Sequence, residues 1–119
     1  MKKTLWTIVF ILFVATALCA CSSKEFPTGT YTYQKLTNVY RDDGTFTHMN
    51  GDEIVTEGTY SIEGDEIHWG HDTYCDRLNG GTATYKWQYE DGMMSFELVG
   101  EDLCEGRRDV HSVNWFGPK

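Results

Sequence analysis

Basic residues are scarce in this sequence: ten lysines and arginines stand against eighteen aspartates and glutamates, a formal net charge of −8. Proteins that bind nucleic acid neutralise its phosphates with lysine and arginine. The acidic balance therefore predicts no nucleic-acid partner. An acidic surface favours solubility, and it would also steer a basic protein towards this one.

The sequence also lacks an apolar run long enough to cross a membrane. Its longest such run, Leu5 to Leu18, has fourteen residues and is interrupted only by threonines, whereas a helix that spans a bilayer needs roughly 20. Lys2 and Lys3 precede the run, and a positive start before a short apolar stretch is typical of a secretory signal. We predict a signal peptide at residues 1–20. Without it, eight basic and eighteen acidic residues remain, a formal charge of −10.

The segment Leu18-Cys19-Ala20-Cys21 resembles a bacterial lipobox, in which the last cysteine receives the lipid. The resemblance implies a lipoprotein that carries acyl chains such as palmitate on Cys21, followed by a lipidated tether at residues 21–28. Several acyl chains on one residue anchor a protein stably in a lipid membrane. Ser22 follows Cys21, where lipoproteins retained in the inner membrane usually have aspartate. We therefore expect a location in the bacterial cell envelope, at the outer membrane facing the periplasm or at the outer face of the cell membrane.

Cysteines are few, and the predicted processing leaves two of them free to pair. Of four cysteines, Cys19 leaves with the signal and Cys21 is acylated. Cys75 and Cys104 remain, and outside the cytoplasm they should form a disulfide. On the chain-entropy account such a bond stabilises the fold by about 3 to 4 kcal/mol. We predict a structural disulfide between these two residues.

No segment shows a sustained helical period. Turn signals recur between short runs that are rich in β-branched and aromatic residues, a pattern that predicts strands. Gly-Thr followed by an aromatic residue opens three of these runs, at Gly29, Gly44 and Gly58. Eight strands are expected, at about 29–36, 38–41, 44–49, 54–63, 65–70, 82–90, 93–100 and 108–116.

Two dipeptides, Gly64-Asp65 and Asp91-Gly92, suit two-residue hairpin turns. Around each turn, residues of similar character are expected to face one another. The predicted pairs are Tyr60 with Trp69, Ser61 with His68, Ile62 with Ile67 and Glu63 with Glu66 in the first hairpin, and Tyr85 with Leu98, Lys86 with Glu97, Trp87 with Phe96, Gln88 with Ser95 and Tyr89 with Met94 in the second. Because side chains alternate along a strand, the apolar members share one face.

A sheet of this length with one apolar face must close on itself or fold into a sandwich to bury that face. Sequential hairpins without a long crossover favour closure. We predict an all-β protein, a small up-and-down antiparallel barrel of about eight strands, which occupies residues 29–119. Within it, an Asp42-Asp43-Gly44 loop would pair Tyr40 with Phe46, and a break is expected near Gln34-Lys35.

Several of these residues resemble the calycin pattern of lipocalins, fatty-acid-binding proteins and avidins. The pattern is carried by Gly29-x-Tyr31 on the first strand, the meander of hairpins, and Arg107-Arg108 before the last strand. It implies a barrel in which the aromatic residue after Gly-x packs against a late arginine. Small secreted bacterial lipocalin-like proteins of unassigned activity are also similar in the stretches Gly58 to Trp69, Asp72-Thr73-Tyr74-Cys75, Phe96-x-Leu98-Val99 and Cys104-x-Gly106-Arg107-Arg108.

The sequence offers little for metal binding or catalysis. Ligand types for zinc or copper occur together at His68, His71, Asp72 and Cys75. On a strand His68 and His71 would point to opposite faces, and Cys75 is assigned to the disulfide, so we predict no metal site. Ser61 opposite His68 lacks the third group of a catalytic triad, and no glycine loop leads from a strand into a helix to hold a phosphate. We predict no enzyme activity and no cofactor.

The remaining candidate site is the barrel interior. A barrel of about eight strands can be filled by its own side chains or can hold one small ligand. The residues predicted to contact a ligand there are Tyr60, Trp69, Tyr85, Trp87, Tyr89 and Phe96. We expect a small apolar or aromatic ligand. The alternative is a filled barrel that inhibits a basic protein, resembling the small acidic periplasmic lipoproteins that block lysozyme.

Overall fold

In the computed structural model, which describes residues 25–119, eight antiparallel strands form one closed barrel. The strands are β1 (Gly29–Tyr33), β2 (Leu36–Tyr40), β3 (Thr45–Asn50), β4 (Glu53–Glu63), β5 (Glu66–Asp72), β6 (Ala83–Glu90), β7 (Met93–Val99) and β8 (Trp115–Phe116). Each strand pairs with the next, and β8 closes the barrel against β1 through Thr32 and Phe116. The predicted up-and-down barrel is confirmed. The predicted signal peptide, residues 1–20, and the acylated Cys21 lie outside the described residues.

The register predicted for both hairpins is also confirmed. Tyr60 faces Trp69 across β4 and β5, and Trp87 faces Phe96 across β6 and β7. Both residues of the second turn have positive φ angles, as a type I′ turn requires. Leu98, predicted as a core partner of β6, does face that strand but is 38% exposed. The buried apolar face therefore ends before Leu98 on β7, whereas its partner on β6, Tyr85, is buried.

The first and last predicted strands differ from the structure. The strand predicted at 29–36 is divided by the break that was predicted near Gln34-Lys35, because Gln34 adopts a φ of 53° and begins a tight turn between β1 and β2. The strand predicted at 108–116 was wrong, because most of that range is a short helix and a turn and only Trp115–Phe116 pair as β8. A helical turn satisfies its own backbone hydrogen bonds where the chain leaves the sheet and has no strand beside it.

The barrel has two different ends, because successive connections of an up-and-down barrel alternate between them. Turns 41–44, 64–65 and 91–92 lie at one end, which we call the turn end. At the other, the helix end, α1 (Thr73–Arg77) connects β5 to β6 and α2 (Glu105–Val110) connects β7 to β8. Within residues 25–119 no helix is both long and apolar enough to cross a membrane.

Aromatic side chains fill the barrel from the turn end to its middle. The ring of Phe26, from the predicted tether, lies edge-on to Tyr40 and to Trp87 with centroids 5.3 Å apart in each pair. Further in, the buried Trp69 packs against Phe46 at 4.8 Å. Each edge-to-face pair contributes about 0.5 to 1.5 kcal/mol beyond its buried area. The turn-end half of the interior is therefore occupied by the protein's own side chains.

Candidate ligand-binding site

A cavity of about 210 Å³ lies at the helix end, between the barrel interior and the two helices. Its apolar walls come from both strands and helices: Phe46, Val55, Trp69, Tyr74 and Val110. Trp69 separates the cavity from the packed half of the barrel, because it lines the cavity and also packs against Tyr40 and Tyr60, with ring centroids 5.9 and 6.2 Å away. Val55 is 36% exposed, so the cavity wall on this side reaches the molecular surface.

A larger groove, of about 570 Å³, lies at the turn end. Its lining includes the exposed acidic residues Glu25, Asp42 and Asp43. A groove with a charged, hydrated rim removes little apolar surface from water, and apolar surface removal is the main favourable contribution to binding of small molecules. The cavity at the helix end is therefore the better candidate for a ligand site.

His48 and Asn38 form a buried polar pair in the wall of this cavity. They face each other directly on β3 and β2, with His48 Nδ1 2.5 Å from Asn38 Oδ1. The amide nitrogen of Asn38 donates to the hydroxyl of Tyr40. Its oxygen therefore faces the imidazole and accepts, so Nδ1 carries the proton and Nε2 keeps a free lone pair. Burial lowers the pKa of His48, against the opposing effect of Asp72, and the ring is neutral near pH 7.

Asp72 begins α1 and is only 3% exposed. Its Oδ1 accepts hydrogen bonds from the Thr56 hydroxyl at 2.6 Å and from the backbone N–H groups of Tyr74 and Cys75 at 3.0 Å each. This is the hydrogen bonding of a helix N-cap, which satisfies donors that have no partner inside the helix. The carboxyl group is thereby held in the cavity wall.

A glycine brings the strands close enough for this arrangement. Gly58 pairs with Asp72 at a register shift between β4 and β5. A Cβ atom at this position would lie 1.8 Å from the carbonyl oxygen of His71, which no other residue could accommodate without moving the backbone. Gly58 thus allows β4 to place Thr56 beside Asp72.

A second buried cluster holds α2 over the barrel. Arg107 donates to Asp102 through Nε at 2.9 Å and through Nη2 at 2.7 Å, and to the Gly81 carbonyl oxygen at 3.1 Å. The hydroxyl of Tyr85 also donates to Asp102. Although burial acts to raise it, hydrogen bonds from Arg107 and Tyr85 hold the pKa of Asp102 below its usual range. The guanidinium is bound in a fixed, bidentate geometry that joins α2 to the segment just before β6.

His111, at the end of α2, lines the cavity and is surrounded by aromatic rings. Its centroid lies 4.7 Å from that of Trp69, 4.9 Å from that of Tyr85 and 4.8 Å from that of Phe96. Its Nδ1 lies 2.7 Å from the Arg107 carbonyl oxygen, which can only accept, so Nδ1 carries the proton. Burial lowers the pKa of His111 to about 4. The neutral imidazole is part of the apolar packing around the cavity.

The predicted disulfide is confirmed: Cys75 in α1 bonds to Cys104, the residue before α2. Both cysteines are 1% exposed. The bond joins the two segments that cover the helix end, and Cys75 also lines the cavity. The helical cover of the cavity is therefore covalently cross-linked.

The six residues predicted to contact a ligand fall into two groups. Trp69 lines the cavity, and Tyr85 and Phe96 lie directly behind it, against His111. The other three, Tyr60, Trp87 and Tyr89, belong to the half of the barrel nearer the turn end. There Trp87 Nε1 donates to a carbonyl oxygen of the β4–β5 turn at 3.1 Å.

The residues that carry the calycin resemblance occupy different parts of the barrel. Arg107 is bound at the helix end by Asp102 and Gly81. Tyr31 is fully buried and packs edge-on against Tyr40 with ring centroids 5.7 Å apart.

Sequence reasoning did not assign four polar residues to the site, Asn38, His48, Thr56 and His111, and it connected Arg107 only with the calycin resemblance. Asn38 and His48 have the same strand parity as the inward-facing Tyr40 and Phe46, so side-chain alternation was a usable signal for them. His111 follows α2, whose position depends on contacts far away in the chain, and no local pattern indicates it.

The residues considered as possible metal ligands, His68, His71, Asp72 and Cys75, each make different contacts. His68 hydrogen-bonds to Thr84, His71 pairs with Asp76, and Cys75 is in the disulfide. Within the described part of the chain, no group of three or more histidine, cysteine, aspartate or glutamate side chains is arranged to hold a metal ion.

In comparisons with known proteins, no protein-family model, curated protein or solved structure matches the chain.

Proposed function

We propose that this protein is a lipid-anchored, lipocalin-like protein of the bacterial cell envelope that binds a small aromatic or apolar molecule at the helix end of its barrel. The observation that supports the proposal is the cavity of about 210 Å³, walled by Phe46, Trp69 and Val110 beside an aromatic core. Sites for small molecules are concave and mainly apolar, with a few placed polar groups.

The size of the cavity limits the ligand. An apolar cavity of about 150 Å³ accommodates benzene, whereas pockets for drug-sized molecules measure about 300 to 1,000 Å³. At about 210 Å³, the site suits a single-ring compound with a short substituent. A long-chain lipid would exceed the space that Trp69 leaves open.

Tryptophan emission tests the proposal directly, because Trp69 lines the cavity. Titrating toluene into the purified mature protein, from Cys21 on, should change the emission and reach saturation. Trp69→Phe should remove most of this change. Trp87→Phe should retain it, because Trp87 lies at the turn end, where Nε1 donates to the Gly64 carbonyl oxygen.

Filling the cavity provides a second test that does not depend on fluorescence. Val110→Phe adds a ring to the cavity wall and should abolish toluene binding measured by calorimetry. Val99→Phe is the matched control, because Val99 lies on β7 and is 37% exposed. Equal affinities in the two variants would contradict the location of the site.

Flat emission across a panel of single-ring compounds would count against ligand binding altogether. If the protein then bound a basic protein such as lysozyme, and did so more weakly as salt rises, the inhibitor alternative would replace the proposal. Such salt dependence is expected for attraction between charged surfaces, since dissolved ions screen it.

A further inference from the structure

Asp72 is a buried acid that forms no salt bridge in the described structure, although the Arg107 guanidinium is near enough to interact with its charge. Its three hydrogen bonds all go to Oδ1, and from residues 25–119 Oδ2 receives none. Within the same residues, no salt bridge of 4.0 Å or less involves Asp72. Buried carboxylates are normally paired, because an unpaired charge in a low-dielectric interior is costly. The unpaired carboxylate lines the cavity.

Capping of α1 does not explain why this residue is charged. Asparagine and serine cap helix N-termini about as well as aspartate does, because a single oxygen acceptor is sufficient. In this protein Oδ1 alone performs that role. The second oxygen and the negative charge are left for another interaction.

The neighbouring cation, the guanidinium of Arg107, is already bound by other groups. Arg107 lines the same cavity, and its guanidinium is bound bidentately by Asp102 and by the Gly81 carbonyl oxygen. The buried residues of the described chain include two acids, Asp72 and Asp102, and one arginine. Since His48 and His111 are neutral near pH 7, one negative charge is uncompensated at the cavity.

The other groups in the cavity wall complement a cation as well. The free lone pair on His48 Nε2 is a hydrogen-bond acceptor, as the pairing of Nδ1 with Asn38 shows. Trp69, Phe46 and Tyr74 supply aromatic rings. A cation close to the face of such a ring gains about 0.5 to 2 kcal/mol, most for tryptophan.

We propose that the cavity selects a small aromatic ammonium ion, such as benzylammonium. Its ammonium group donates to Asp72 Oδ2 and His48 Nε2, and its ring packs against Trp69 and Phe46. The inference rests on the proposed function, because it names the class of ligand for the same cavity. The net charge of −8 raises the local concentration of cations and so favours the same ligand.

Three compounds of nearly equal size separate charge from shape: benzylammonium, benzyl alcohol and benzoate. Calorimetric titration of each into the purified mature protein at pH 7 should show benzylammonium binding about tenfold or more tightly than benzyl alcohol, as expected for a charge-assisted hydrogen bond. Benzoate should bind most weakly, because its charge is repelled by Asp72.

Asp72→Asn removes the charge and keeps an oxygen that can cap α1. In this variant benzylammonium and benzyl alcohol should bind with similar affinities. Asp76→Asn is the matched control: it removes a charge from the same helix, but Asp76 is exposed and pairs with His71. This control should keep the preference for benzylammonium.

The outcomes distinguish this inference from the function on which it rests. Equal binding of benzylammonium and benzyl alcohol to the unchanged protein would overturn the inference and leave aromatic binding intact. Binding of none of the three compounds would overturn both. The comparison of ligands uses the unchanged protein, so it remains decisive even if Asp72→Asn fails to fold.

Discussion

His111 is a histidine that the fold keeps uncharged. It is 6% exposed, its Nδ1–H donates to a backbone carbonyl, and three aromatic rings surround it. Burial is the largest cause of its low pKa, and the nearby guanidinium of Arg107 acts in the same direction. A proton on this ring would place a second positive charge beside Arg107 in a dry interior.

This environment predicts that stability falls in mild acid. As the pH drops through about 6.5, the ordinary value, the unfolded chain binds a proton at this histidine, whereas native His111 stays neutral down to about pH 4. The contribution of His111 to the free energy of unfolding is full above pH 6.5. It decreases by about 3 kcal/mol as the pH falls from there to the pKa of native His111. Urea unfolding at a series of pH values should show this fall, with buried His48 adding to it.

Replacing the histidine isolates its share of the effect. His111→Gln should flatten the dependence of the unfolding free energy on pH between 6.5 and 4. His71→Gln is the control, because His71 is exposed and outside the core. If His111→Gln keeps the slope of the unchanged protein, as the His71→Gln control should, His111 is not its cause.

At the scale of elements, the helical cover depends on one covalent bond. Cys75 and Cys104 are 29 residues apart in sequence, and closing a loop of that length in the unfolded chain is worth about 3 to 4 kcal/mol. Cys75→Ala and Cys104→Ala should each lower the free energy of unfolding by about this amount. The double variant should lose no more than either single one, because all three lack the same bond.

Denaturant unfolding of the three variants measures the effect, and thiol titration of the native protein checks the bond itself. Additive losses would show that the cysteines act separately. Reactive thiols in the oxidised native protein would show that the bond is absent.

The elements that could be predicted from sequence are those formed by residues that lie close together in the chain. Gly64-Asp65 and Asp91-Gly92 define hairpins whose partners lie a few residues away, and there the register was predicted correctly. The helices could not be predicted in this way. α1 has only five residues and α2 six, too short for a helical period, and both are held by distant partners such as the Cys75–Cys104 disulfide.

Prediction of the candidate site from sequence has the same limit. Alternation along a strand predicts which side chains point inward, so Trp69 was placed correctly in the core. Alternation does not predict how far along the barrel axis a side chain lies. It therefore could not distinguish Trp69, which lines the cavity, from Trp87, which lies in the packed half. That difference arises because Phe26 enters the turn end and α2 covers the other.

At the scale of the whole molecule, the proposed anchor can be tested by mass. Intact mass of the protein purified from bacterial membranes should correspond to a chain that starts at Cys21 and carries added acyl groups. Cys21→Ser should remove the acyl mass and release the protein from the membrane. Cys19→Ser is the matched control and should leave both unchanged, because Cys19 precedes the predicted cleavage. A soluble, unmodified product from the unchanged gene would contradict the anchor.

Phe26 enters the core at the turn end, close to Tyr40 and Trp87. An anchor at Cys21, a few residues earlier, would hold the turn end against the lipid headgroups. The wall at Val55, where the cavity reaches the surface, would then face away from the bilayer. A ligand would then enter from the surrounding water, which is the phase that holds a soluble ammonium ion.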